Sequence, residues 1–176
     1  MDGSLPGTFT CRAAMATNEP DGVVFERADA TRTELLVEMM REFYAFEHLP
    51  WDEEAARRGL GMILEDGSLG EVWLIRRGGA MAGYFVLAFG FSLEFRGRDA
   101  FLDEIYIREE HRGGGLGRGA IRKAEEVCRA RGVRALHLEV ERKNTGAQAF
   151  YRTLGFEDHD RYLLTKWVSN PVQEAH

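Results

Sequence analysis

Two hydrophobic periods alternate along this chain, and the switches between them delimit its elements. "GVVFERA" (22–28) is a short β-rich run that predicts a first strand. "DATRTELLVEMMREFYAFEHL" (29–49) then follows at helical spacing. Thr31 or Thr33 is placed to cap its start, and Pro50 to break its end. "DEEAARRGLGMILED" (52–66) predicts a second, weaker helix, because Gly59 and Gly61 interrupt it. "EVWLIRR" (71–77) and "AMAGYFVLAFGF" (80–91) are β-rich runs joined by Gly78–Gly79, which is a hairpin signal. "DAFLDEIYIRE" (99–109) is the next expected strand. After it come a glycine-rich loop with its helix, a strand at "RALHLEVE" (134–141), a short helix at "NTGAQAFYRTLG" (144–155) and a last strand at "RYLLTKWV" (161–168). The order describes one α/β (α+β) domain whose first half is antiparallel.

The loop before the third helix is unusual in its composition. Within "EEHRGGGLGRGAIRKAEEVCRARG" (109–132), five of the chain's twenty glycines fall in seven positions. Leu116, Ala120, Ile121, Ala124, Val127 and Cys128 then keep one apolar stripe, with charged residues opposite and Gly132 at the C-terminal cap position. A flexible linker would not run straight into so regular a helix. A loop whose bare N–H groups face an anion at a helix N-terminus does so naturally.

Composition narrows the class. With 176 residues, 44% of them hydrophobic, and a net charge of −6, the chain reads as one soluble globular domain. The domain is expected over 22–170, with a disordered tail at 1–21 and a short tail at 171–176. The first stretch, "MDGSLPGTFTCRAAMATNEPDG", lacks the apolar centre of a signal peptide and reads as a tail or as an extension ahead of Met15. No apolar run approaches the roughly 18 residues of a membrane span. Cys11 and Cys128 are far apart, which points to a reducing, cytoplasmic setting without a disulfide framework. The acidic balance disfavours nucleic acid and favours cationic substrates. His48, His111 and His137 are dispersed, so no metal site is expected.

Three phosphate-binding readings compete for the loop. "GLGRGA" (115–120) satisfies a permissive dinucleotide pattern, but that motif belongs in a βαβ unit, and an antiparallel meander precedes it here. No Gly-Lys-Ser/Thr stands nearby for a nucleoside triphosphate loop. Arg112, Gly115 and Gly117 instead fit R-x-x-G-x-G at a strand–loop–helix junction. That segment, together with "LHLEVERKNTGAQAFYRTLGFED" (136–158) carrying Asn144, Ala147, Tyr151, Gly155 and Phe156, resembles the GNAT (GCN5-related) N-acetyltransferases over roughly 70–170.

The resemblance implies a GNAT fold: a mixed, mostly antiparallel sheet of six to seven strands, splayed at the acetyl-CoA site and flanked by about four helices. It implies acetyl-CoA as co-substrate, with pyrophosphate on the backbone of Gly113, Gly114, Gly115, Leu116, Gly117, Arg118 and Gly119. Arg112 and Arg118 add positive charge, and the pantetheine arm lies along the backbone of Ile105, Tyr106 and Ile107. Asn144 serves as a cofactor contact, a helix N-cap, or both. Tyr151 holds the general-acid position. An alkyl ammonium of pKa ~10.4 is neutral in about one molecule per few thousand at pH 7, so a general base is also required. Glu104 ranks first for that role, Glu139, twelve residues before Tyr151, second, and Asp103 third. Strand alternation sends Asp103 and Glu104 to opposite faces unless a bulge intervenes.

The acceptor is the least legible part. In this family the connection between the first two helices folds over the acceptor site, which here is "FYAFEHLPWDEE" (43–54). Tyr44, Phe46 and Trp51 are expected as walls, and Glu47, Asp52, Glu53 and, from "FSLEFRGRDAF" (91–101), Glu94 as cation partners. The leading expectation is direct acetyl transfer to a primary amine of a small cationic acceptor, with a homodimer as one arrangement. Polyamines, aminoglycoside-like amines, amino acids and protein N-termini all fit, as does an acyl group larger than acetyl. The alternatives are a non-catalytic acyl-CoA-binding module or sensor and, through "GLGRGA", a nicotinamide-dependent oxidoreductase.

Overall fold

A computed structural model describes residues 22–168. The expected tails at 1–21 and 171–176, and Cys11, lie outside the described residues. Two compact units make up the chain, one ending at Glu139 and the other beginning at Val140.

The first unit is built on a five-stranded sheet of order β1 (Val23–Arg27), β2 (Gly70–Arg77), β3 (Ala80–Ser92), β4 (Gly97–Ile107) and β5 (Ala135–His137). Strands β1 to β4 pair antiparallel, and β5 joins β4 in parallel. The hairpin signal is realised at Gly78 and Gly79, whose φ values of 57° and 85° are the left-handed pair a tight two-residue turn needs. Five strands stand among the described residues where six or seven were expected. The last expected strand, 161–168, is not one, although its apolar alternation reads as β. A strand exists only with a hydrogen-bonding neighbour, and Tyr162, Leu163, Leu164 and Trp167 lie exposed with none among the described residues. The strand expected over 134–141 shrinks to three residues for the same reason: β4 offers a parallel partner only from Asp99 to Phe101.

Helix α1 (Thr33–Phe46) and helix α2 (Glu53–Glu65) cover one face of the sheet. Leu36, Met39 and Leu60 pack there against Val72, Leu74, Tyr84, Val86 and Tyr106. The expected caps of α1 are corrected. A 3-10 turn at Ala30–Arg32 precedes the helix, Asp29 accepts the N–H of Thr31, and neither Thr31 nor Thr33 caps α1. The helix also ends before Pro50, at Phe46, and His48 turns the chain at φ 57°. Asp52 caps α2 by accepting the N–H of Ala55.

Helix α3 (Leu116–Ala130) packs on β1 and β4, and its stripe of Leu116, Ala120, Ile121, Ala124, Val127 and Cys128 is buried as expected. Gly132, at φ 69°, follows its C-terminus. In the second unit, α4 (Thr145–Arg152) is capped by Asn144, whose Oδ1 accepts the N–H of Ala147 at 3.0 Å. No helix of the described residues is long and apolar enough to cross a membrane.

Candidate active site

The pair Asp103–Glu104 is where the structure adds most to the reading of the sequence. Leu87 of β3 pairs with Leu102 of β4, but the next residue, Val86, pairs with Glu104. Asp103 is therefore the extra residue of a β-bulge, and the bulge turns two consecutive carboxylates to the same face. Both line one cavity of about 400 Å³ between α1, α2 and the sheet. The spacing carried a faint signal: in "FLDEIYI" the apolar positions Leu102, Ile105 and Ile107 are three and then two apart, which no regular strand produces.

Glu104 sits at the buried side of that cavity. The hydroxyl of Tyr84 donates to its Oε2 at 2.7 Å, and the hydroxyl of Tyr44 donates to it as well. Burial pushes the Glu104 carboxyl above the usual carboxylate range; the two hydroxyls offset part of this, and the Asp103 charge adds to it. Asp103 stands at the more open side, and its carboxyl too is raised by desolvation. The same surroundings push the Tyr44 phenol up to about 12 and the Tyr84 phenol higher still, so both remain donors at neutral pH. A carboxylate held between two phenols and poised toward neutrality is equipped to take a proton from an ammonium.

Other expected residues are distributed unevenly. Asp52 lines the cavity, as does Tyr44. Trp51 packs edge-on against Tyr44 with centroids 5.4 Å apart, but does not itself line it. Glu47 ends α1 in an exposed position, Glu53 pairs with Arg41 and Arg57, and Phe46 lies beneath the guanidinium of Arg112. Glu94 is exposed in the β3–β4 turn beyond Ser92, which itself stands six strand positions from Val86 or roughly 20 Å along the sheet. Glu139 is exposed beyond the end of β5 and is not among the cavity residues. Tyr151, on α4, packs against Phe150 and Phe156 in the second unit. The sequence reading missed Tyr84 and the wall that α2 supplies through Ala55, Ala56, Gly59, Leu60 and Ile63. Gly59, an unforced glycine in a helical pattern, was the available clue.

Beside this cavity, β4 runs into the glycine-rich loop. From Leu102 to Ile107 it pairs with β3 alone, so its other edge is open to no strand among the described residues. The glycines of the loop serve different needs. Gly113 and Gly115 adopt φ values of 78° and 77°, where a side chain is strained. A Cβ on Gly114 would lie 2.0 Å from Nη1 of Arg77, whose side chain packs on the loop. Gly115 occupies the N-cap position of α3 and provides no side-chain cap, which leaves the helix N-terminus able to receive an anion. Arg112 has a further task, donating from Nε to the carbonyl of Ile107 at 2.9 Å and stacking on Phe46 at 4.1 Å.

These features agree with what the chain is similar to. The profile of the Acetyltransferase (GNAT) family matches residues 34–156. The bovine thialysine N-epsilon-acetyltransferase is 35% identical over 82 residues, which are 47% of this chain and 48% of that protein. An L-methionine sulfoximine/L-methionine sulfone acetyltransferase of Pseudomonas aeruginosa is 29% identical over 108 residues, 61% of this chain and 56% of that protein. The chain thus spans about half the length of the curated relatives it matches. An integron cassette protein from the mobile metagenome of Cole Harbour Salt Marsh superposes with a TM-score of 0.74 at 34% identity, covering 84% of this chain and 92% of that one. A predicted acetyltransferase of Clostridium acetobutylicum, in a structure with acetyl-CoA, shares the fold at a TM-score of 0.70 and 18% identity, covering 82% and 96%. With the profile spanning more than two thirds of the sequence and the sheet, loop and helix arranged as above, the chain belongs to the GNAT acetyltransferase family.

Proposed function

We propose that the protein is an acetyl-CoA-dependent N-acetyltransferase that acts by direct transfer to a primary amine of a small acceptor. The observation that carries this reading is the bulge that brings Asp103 and Glu104 into one cavity, on the strand that leads into the glycine-rich loop. The relatives named for thialysine and methionine sulfoximine support a small amine-bearing acceptor.

The residues present fit acetyl-CoA. The open edge of β4 offers the backbone of Ile105, Tyr106 and Ile107 to a pantetheine arm, and Gly113 to Gly119 offer N–H groups and the α3 dipole to a pyrophosphate. Asn144 and Arg118 complete the proposed cofactor set. When bound, acetyl-CoA supplies the thioester carbonyl that the amine attacks. Glu104 takes the ammonium proton onto its carboxylate, and Tyr84 and Tyr44 hold that carboxylate in place. Tyr151 keeps a phenolic proton for the departing sulfur, a role that rests on its place in the family motif. Glu139 is the second candidate base. Cys128 is buried with its thiol pushed up to about 11, which supports direct transfer over an acyl-enzyme. The cysteine usage fits a cytoplasmic setting.

Thiol release measured with acetyl-CoA and a panel of amines tests the proposal. Tyr151→Phe is expected to lower kcat by roughly 10²–10⁴ while leaving acetyl-CoA affinity nearly unchanged. An unchanged kcat removes Tyr151 from the mechanism. Acetyl-CoA binding without thiol release for any amine establishes the non-catalytic alternative instead.

A further inference from the structure

The cavity between α1 and α2 is selective in its chemistry. Its ionisable lining groups are Asp52, Asp103 and Glu104 with the phenols of Tyr44 and Tyr84, and no Lys, Arg or His lines it. The rest of the lining is aliphatic, from Leu36 and Met40 on α1 to Val72 and Val86 on the sheet. Asp103 makes no hydrogen bond or ion pair with the described residues, whereas Asp52 is engaged in capping α2. An ammonium entering this space meets an available carboxylate. A carboxylate attached beside that ammonium would be buried against two like charges with no cation to receive it.

The size of the cavity has its own cause. Its volume corresponds to about a dozen water molecules, and beside Leu60 and Ile63 the α2 wall carries three small residues, Ala55, Ala56 and Gly59. Gly59 lies within the helix, where glycine is weaker than alanine. Neither packing nor backbone conformation demands it: a Cβ there would have nothing within 4 Å, and its φ lies in the ordinary range. What its missing side chain leaves is room in the cavity.

We propose that the acceptor is a primary amine on an apolar body without a carboxylate next to the amine, and that Gly59 sets how large that body is. This deepens the acetyl-transfer reading and rests on it for the identity of the reaction. It also separates this chain from the named relative acting on methionine sulfoximine, a compound whose amine adjoins a carboxylate.

The test uses two matched pairs, phenethylamine with phenylalanine and isopentylamine with leucine, whose members differ in the α-carboxylate alone. Binding to the CoA-loaded protein is measured by calorimetry, and thiol release from acetyl-CoA in parallel. The amine of each pair is expected to bind about tenfold or more tightly than its amino acid. Gly59→Leu is expected to weaken phenethylamine by about tenfold or more while CoA affinity holds and Tm rises. If Gly59→Leu does not fold, Ala56→Leu reads the same wall. Equal or tighter binding of the amino acids overturns the proposal, as does failure of all four compounds to bind. Unchanged phenethylamine binding in a folded, CoA-competent variant overturns the role of Gly59. Tight amine binding without thiol release leaves the pocket chemistry standing and refutes acetyl transfer.

Discussion

Glu104 ties the chemistry to a measurable titration. Because burial raises its carboxyl, the acid limb of kcat/KM is expected above the ordinary carboxylate range, with activity falling as pH drops through it. Glu104→Gln should flatten that limb and recover weak activity at high pH, where the free amine is neutral unaided. Persistence of the limb in this variant, with its loss in Glu139→Gln, would move the base to Glu139. Tyr84→Phe removes a hydrogen bond that favours the ionised form, so the same limb should move to higher pH by about one unit. Stability follows the opposite sense. A carboxyl raised in the folded state binds its proton more tightly there than in the unfolded chain, so folding loses stability as pH rises through the raised value. Glu104→Gln should therefore raise Tm at pH 8 and leave it nearly unchanged at acid pH, where both states hold the proton; thermal melts at the two pH values decide this.

At the scale of the element, the β3–β4 pair sets the site. Its register allows no side chain at Gly83, where a Cβ would lie 2.1 Å from the carbonyl oxygen of Tyr106. Backbone cannot yield there, so Gly83→Ala is expected to lose about 2 kcal/mol or more in urea unfolding and to disturb the Tyr84–Glu104 hydrogen bond. Gly114→Ala meets only the far end of the Arg77 side chain, which can move aside, and should lose less. Gly115→Ala falls between them, because a left-handed backbone strains alanine by about 1 kcal/mol. Equal losses at all three positions would show that clash and conformation are not what distinguishes them. The glycines that look alike in "GGGLGRG" thus have separate causes, and backbone freedom before α3 is required at Gly113 and Gly115 in particular.

Across the first unit, long-range ion pairs hold α1 and α3 to the sheet. Glu71 of β2 is only 5% exposed, accepting from Trp73 Nε1 at 2.8 Å and from Arg131 Nε at 2.9 Å, with Arg27 3.5 Å away. Arg131 follows α3, so this contact fastens the far end of the helix whose near end is the proposed anion site. Arg131→Ala leaves a buried carboxylate with a weaker, more exposed partner and should lose about 3 kcal/mol in urea unfolding. A loss below 1 kcal/mol would mean that Arg27 replaces it fully. Arg108 does the corresponding work at the end of β4, reaching Glu42 and Glu38 of α1 and holding the cavity's first wall against the strand that carries Asp103 and Glu104.

Much of this molecule is determined locally and is legible as such. Apolar residues at helical spacing bury one stripe of α3, Gly78–Gly79 closes a hairpin, and the glycines before Leu116 mark a turn into the uncapped N-terminus of α3, because each depends on residues within a few positions of one another. The family motif belongs with them, as does the placing of Glu104 first among the candidate bases, which the pH profiles above test. Tertiary structure decided what depends on a distant partner. The bulge that turns Asp103 and Glu104 to one face exists only in the register of β4 against β3, and "LDEI" alone has no register. The cavity needs α2 laid across α1 and the sheet, so Gly59 reads as a weak helix position until Tyr84 and Glu104 stand opposite it. Alternation in "RYLLTKWV" states a preference for β structure, but backbone hydrogen bonds must be accepted by another strand, and the described residues provide none.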